Sequence, residues 1–201
     1  MRHKLILTDV DGVLLNWNDA FDQHMLKLGH TLIPEHSNKY SLSKRFGVDR
    51  VEMDTIVSNF NESDHVKNLP PFRDSIKGVN LLMELGYRFV AITNIGGSKQ
   101  SAYNRTHNLN EVFGDGVFEE IICLPMGESK YKTLMRWEGN DMYWIEDKFS
   151  NALDGHSLGF RAVLVDAEYN RDFSTTRFPR VSNETPWADI ISIMVKDYFK
   201  D

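Results

Sequence analysis

Two aspartates carry the first chemical signal. Residues 7–17 read LTDVDGVLLNW, and Asp9 and Asp11 follow the apolar run Leu5-Ile6-Leu7 with one valine between them. In an extended chain side chains alternate, so Asp9 and Asp11 leave on the same side, and Gly12 lets the backbone turn. Two carboxylates that close repel unless a cation or a shared proton relieves them. Groups of related type recur downstream. Thr93-Asn94 ends the apolar stretch Val90-Ala91-Ile92, Lys130 lies in GESKYK at 127–132, and Glu146-Asp147 ends Tyr143-Trp144-Ile145. Each has an ordinary explanation on its own: a turn, a helix cap, a solvated lysine, an acidic loop. At the ends of neighbouring parallel strands they would instead share one crevice. Three carboxylates at close range suit a hard divalent cation such as Mg²⁺, which takes oxygen ligands. A hydroxyl, a lysine and backbone amides suit phosphate oxygens.

The elements that would position these groups alternate along the chain. Short apolar runs at 4–8, 88–93, 120–124, 142–146 and 162–165 read as strands, most of them buried on both faces. Between them, 74–85 reads as a helix with Ile76, Val79, Leu82 and Leu85 at helical spacing, stopped by Gly86. A last helix starts at Thr185-Pro186, a cap followed by proline, and carries Trp187, Ile190, Ile191, Met194, Val195 and Tyr198. This alternation predicts an α/β, Rossmann-like three-layer sandwich around a central parallel sheet. Residues 16–72 interrupt it. Stretches 18–28 (Trp17, Phe21, Met25, Leu28 on one side) and 48–60 (Val51, Ile56, Val57, Phe60) read as helices, with no convincing strand between them, and Pro70-Pro71 closes the segment. The expected division is a core of 1–15 and 73–201 with a small α-helical cap, 16–72, inserted after the first strand. Open α/β sheets bind ligands at the carboxyl ends of their strands, so the cap is expected to cover that edge.

Composition narrows the partners. The chain has 201 residues, 41% hydrophobic and 26% charged, enough for one full core. Net charge is −6 with no basic run, which argues against long duplex nucleic acid as a partner. No apolar run is long enough to span a bilayer, and the stretch behind the basic start meets Asp9 too soon for a signal peptide. The single cysteine, Cys123, fits a reducing cytoplasm.

Four segments, DVDGV, AITN, SKYKTL and IEDKFSN, resemble the four motifs of the haloacid dehalogenase (HAD) superfamily, mostly Mg²⁺-dependent phosphatases. The resemblance implies that Asp9 is the nucleophile, forming an aspartyl-phosphate. Asp11 would act as general acid and then base, its backbone carbonyl binding Mg²⁺. Thr93 and the Asn94 backbone would hold phosphate. Lys130 would steady nucleophile and phosphate, and Asp147 would ligate Mg²⁺ alongside Asp9. An aspartate at Asp11 implies phosphate transfer rather than dehalogenation. Lys130 is preferred over Lys132 because Ser129 can cap the helix and put Lys130 in its first turn. Glu146 departs from the usual aspartate or glycine, and is expected to act through water or behind Asp147. Asn151, one helical turn on, is expected to support Asp147.

A cap implies a closed site and a small phosphorylated substrate. Trp17 and Phe21 are candidates to face the pocket, where a flat group could stack. The tail residues Tyr169, Asn170, Arg180, Val181 and Trp187 resemble the end of the 5′(3′)-deoxyribonucleotidase family, which points to a nucleoside monophosphate. The alternatives are another metabolite such as a sugar phosphate, or a phosphate- or nucleotide-binding protein without catalysis. A signalling receiver domain would need an aspartate ending the third strand, where Cys123-Leu124 stands. Oligomeric state is not legible.

Overall fold

The structure, a computed structural model, describes residues 4–199. After β1 (Leu5–Thr8) come four helices, α1 (Trp17–Lys27), α2 (Leu42–Phe46), α3 (Arg50–Glu62) and α4 (Ser75–Glu84). Alternation then takes over: β2 (Arg88–Asn94), α5 (Lys99–Phe113), β3 (Phe118–Leu124), α6 (Tyr131–Leu134), β4 (Tyr143–Glu146), α7 (Phe149–Ser157), β5 (Arg161–Val165), β6 (Arg180–Val181) and α8 (Pro186–Tyr198). The strands form one parallel sheet in the order β3-β2-β1-β4-β5-β6. The chain works outward from β1 in one direction, then in the other. The ends flanking β1 therefore form the crevice where an open sheet of this kind takes its ligands. Among the described residues, no helix is long and apolar enough to cross a membrane.

Alternation along the strands splits the core in two. Ile6, Ala91, Ile145 and Val163 face one side, with Val79 and Leu82 of α4, Leu109 of α5 and Trp187 and Ile190 of α8. Leu7, Val90, Ile92, Trp144 and Leu164 face the other, with Leu134 of α6 and Ala152 of α7. Helices thus cover both faces, giving the three layers expected. The first cluster continues without a break into the segment after β1, through Trp17, Phe21, Met25, Met53, Val57 and Phe60. At α7, Gly155 lies directly against the Trp144 indole, where any side chain would collide.

The helical expectations hold with shifts in which residues face inward. In α3 the buried face is Met53, Val57, Phe60 and Asn61, while Val51 is exposed. Ile76 in α4 and Leu85 just after it stay exposed, as do Val195 and Tyr198 in the last turn of α8. Thr185 precedes α8 but makes no capping bond. The Asp74 carboxylate caps that helix from a distance, accepting the N–H groups of Trp187 (3.1 Å) and Ala188 (2.9 Å). Three elements were not foreseen. The helix α2 has five residues, the strand β6 only two, and α5 buries a polar stripe of Ser101, Asn104, Arg105 and Asn108.

Candidate active site

Register brings the acids together. Thr8 pairs with Ile145, so Asp9 stands level with Glu146 at the next position of the sheet. The backbone N–H of Asp9 donates to the Ile145 carbonyl at 2.8 Å, closing the last rung between β1 and β4. One oxygen each from Asp9, Glu146 and Asp147 lies within 4.8 Å of the others, and all three residues are buried. Lys130 sits beneath them, 2% exposed. Its Nζ is 2.7 Å from Asp9 Oδ1 and 3.0 Å from Glu146 Oε2. Lys132, the alternative, is exposed to solvent. Ser129 Oγ accepts the Tyr131 N–H at 3.2 Å, but α6 starts one residue later than expected, so Lys130 stands at its cap position and not in its first turn.

The charges are crowded. Burial lifts the Asp147 pKa to about 7, and the neighbouring Asp9 charge adds to the rise. Glu146 is raised well above the usual carboxylate range by the same two causes in the same order. Burial works against charge on Lys130, but Asp9 and Glu146 outweigh it and hold the ammonium above its ordinary pKa. Asp11 rises to about 6, chiefly through burial, with Arg105 opposing the shift. One ammonium among three carboxylates leaves negative charge uncompensated, and a hard oxygen donor set of that kind fits a divalent cation.

Neighbouring residues fix this arrangement. Glu146 has both oxygens engaged, Oε2 by Lys130 and Oε1 by the Lys148 N–H at 3.0 Å. Tyr169 donates its hydroxyl to Asp147 Oδ2, and Asn170 Nδ2 donates to the Asp147 carbonyl at 2.7 Å. Arg180 in turn holds Asn170, donating to its side-chain and backbone oxygens. Trp187 donates its indole N–H to the Val13 carbonyl at 2.9 Å, pinning the loop after Asp11. The tail residues that resemble the nucleotidase family therefore brace the acidic centre. Gly12, at φ +76°, packs against the Asp147 carboxylate so closely that a Cβ would collide with it.

The other expected residues fall as follows. Asn94 lines the cavity, and its amide holds the next loop by donating to the carbonyls of Pro125 (2.8 Å) and Glu128 (3.0 Å). Thr93 is fully buried beside it, its hydroxyl without a hydrogen-bond partner among the described residues. Asn151 lines the cavity, and its backbone carbonyl accepts the Trp144 indole N–H. The bonds to Asp147 come from Tyr169 and Asn170 instead. Trp17 lines the cavity with its indole N–H bound to Asn61 Oδ1 at 2.9 Å. Phe21 stacks behind Trp17 at 4.6 Å, fully buried and away from the cavity surface.

The cavity above the acids holds about 650 Å³, within the usual range for a small-molecule site. Its upper wall comes from the segment between β1 and β2. Lys39, Tyr40, Lys44, Arg45 and Arg50 line it, and Lys148 faces them from the core. The Lys148 ammonium lies 4.6 Å from the centre of the Tyr40 ring, and Tyr40 meets Tyr169 edge-on at 5.3 Å. None of these side chains was singled out in the sequence as a site residue, because lysines and arginines in a polar helical segment ordinarily read as solvated surface.

A predicted phosphoglycolate phosphatase from Haemophilus somnus superposes with a TM-score of 0.65 over 96% of this chain and 99% of its own, at 16% identity. A HAD family hydrolase from Deinococcus radiodurans, with bound phosphate and sodium, gives 0.65 over 96% of both chains at 13% identity. The chain has the haloacid dehalogenase-like fold. CbbY from Rhodobacter sphaeroides, in complex with phosphate, shares this HAD-like fold with a TM-score of 0.63 over 94% of this chain and 96% of its own, at 15% identity. In sequence, the chain is 35% identical over 130 residues, 62% of its length, to the uncharacterized 32.4 kDa protein in the Gp30-rIII intergenic region of Enterobacteria phage T4. It spans 46% of that relative. No protein-family model matches the chain.

Proposed function

We propose that the protein is a Mg²⁺-dependent phosphomonoesterase acting on a small phosphorylated metabolite through an aspartyl-phosphate at Asp9. The observation that carries this reading is the buried trio Asp9, Glu146 and Asp147, one oxygen of each within 4.8 Å, with Lys130 against Asp9 on the cavity floor. Solved structures of the same fold hold phosphate, which agrees with it. Asp9 and Asp147 are the carboxylates that would hold the cation, with the Asp11 carbonyl, and Glu146 orients Lys130 behind them. When bound, the cation neutralises charge on the phosphoryl oxygens and on the acids. Asp9 attacks phosphorus. Val10 N–H (2.6 Å) and Lys130 fix the plane of its carboxylate by holding Oδ1. Asp11 protonates the leaving oxygen and then takes a proton from the water that releases phosphate. Lys130, Thr93 and the Asn94 backbone steady the phosphoryl group. Asparagine at Asn94 also holds the loop that carries Lys130. The single cysteine, half-buried Cys123, agrees with a cytoplasmic enzyme.

For the leaving group, a nucleoside monophosphate is the first substrate to try. Trp17 and Tyr40 offer aromatic surface in the cavity wall, on which a base can stack. A second reading has its own observation. Besides Lys130, five cationic side chains line the cavity, which suits a substrate with a second anionic group, such as a sugar bisphosphate. Phosphate release from a panel of nucleotides and sugar phosphates, with Mg²⁺ and with chelator, tests both. Turnover with Mg²⁺ and none with chelator is expected. Absence of release from every member removes the phosphatase reading.

A further inference from the structure

The phosphatase reading leaves one fully buried charge without a task. Arg105 lies on α5 with no exposed surface, far from Asp11 in sequence. Its Nη2 donates to Asp11 Oδ2 at 2.9 Å and lies 2.7 Å from Oδ1. Its Nε and Nη1 have no hydrogen-bond partner among the described residues. A guanidinium carries five N–H donors, and burying it with most of them bare is costly. A purely structural arginine would be expected to spread its donors over backbone carbonyls. Its neighbours on the same stripe do so. Asn104 Nδ2 donates to the carbonyls of Asn61 and Ser63, and Asn108 Nδ2 to that of Leu69. Those two residues fasten the end of the helical segment onto α5. Arg105, between them, spends its charge on a single acid.

We infer that Arg105 is a positioning residue that holds the Asp11 carboxyl in the orientation needed to protonate the leaving group. The inference rests on the phosphatase reading and adds a component to it. In the step concerned, the bond from Asp9 oxygen to phosphorus forms while the ester P–O bond breaks. The departing oxygen keeps that electron pair and takes the proton from Asp11. The carboxylate left on Asp11 faces the Arg105 guanidinium. Asp11 keeps about a quarter of its side-chain surface open (24%), while Arg105 stays sealed behind it. The arginine thus reaches the reaction only through Asp11.

A change in leaving group tests this. An aryl phosphate such as p-nitrophenyl phosphate departs without help from an acid, whereas an alkyl phosphate needs the proton. Arg105→Met is expected to lower kcat for an alkyl phosphate about 100-fold and for the aryl ester less than tenfold, with KM little changed. Arg105→Lys, which keeps the charge if the larger change fails to fold, is expected to recover part of the alkyl activity. Equal losses on the two esters overturn the inference, as does full alkyl activity in Arg105→Met. Melting temperatures give a readout that needs no turnover. Arg105→Met and Asp11→Asn should each destabilise the protein, and the double variant should lose less than the sum. Additive losses break the pairing even in an active enzyme. A wild-type protein inactive on both esters removes the phosphatase reading instead, while the melting cycle still reports whether the pair exists.

Discussion

The floor and the upper wall of the cavity are built on opposite rules. The floor collects acids: Asp9, Glu146 and Asp147 are buried, and each is held by a neighbour through Lys130, Tyr169, Asn170 or a backbone N–H. The upper wall collects cations: Lys39, Lys44 and Arg50 are exposed, and Arg45 is half-buried against Asp22 at 2.7 Å. Groups locked into one geometry suit a reaction whose charges develop at fixed points. Exposed, flexible cations suit recognition of a variable anionic substrate. On this account the floor sets the chemistry and the upper wall sets what enters.

Damage to the floor should therefore abolish turnover, and damage to the wall should alter affinity. The largest effect is expected from Asp9→Asn. Phosphate release should vanish while circular dichroism and melting remain close to wild type, because Lys130 keeps Glu146 as a partner. Gly12→Ala should come next. It forces a side chain into positive φ and against Asp147, and a misplacement of that order lowers kcat by about 100-fold. Steady-state kinetics with a saturating substrate checks it, and unchanged kcat would show that the loop has room to give. In the upper wall, Lys44→Ala should raise KM for an anionic substrate by about tenfold and leave kcat within about threefold, the loss of one charge-assisted contact. A fall in kcat with constant KM would move Lys44 into the chemistry.

The smallest effect concerns the packing behind the wall. His24 lies 5.0 Å from the Phe60 ring and 5.7 Å from that of His65. Burial, then His65, lowers its pKa below the ordinary 6.5. A histidine depressed in the folded state contributes full stability above its unfolded pKa and loses it as pH falls through the folded value. Melting temperature should thus decline as pH drops below about 6.5, and His24→Gln should flatten part of that decline. An unchanged slope in the variant would assign the decline to other groups.

The two regions were also unequally legible in sequence. Strands buried on both faces announce themselves as short apolar runs, so Asp9, Asp11, Thr93 and Asp147 could be placed at strand ends before any coordinates. Trp17 carried helical spacing and a position near the aspartates. Arg105 had no such signal. Its helix buries a polar stripe, and hydrophobic periodicity cannot register a face whose contacts are amide-to-carbonyl bonds. The wall cations were equally silent, since a lysine facing a cavity and one facing bulk water look alike in sequence. Tyr169 and Asn170 were noticed for their resemblance to a nucleotidase tail. Their bonds to Asp147 explain that pattern as bracing, and it need not report the substrate.

The most direct test of the central claim is acid quenching during turnover of radiolabelled p-nitrophenyl phosphate with Mg²⁺, followed by mapping of labelled peptides. The account predicts label on the peptide containing Asp9, labile to hydroxylamine and absent from Asp9→Asn. Label on another peptide, or rapid phosphate release from a competent Asp9→Asn protein, would contradict it.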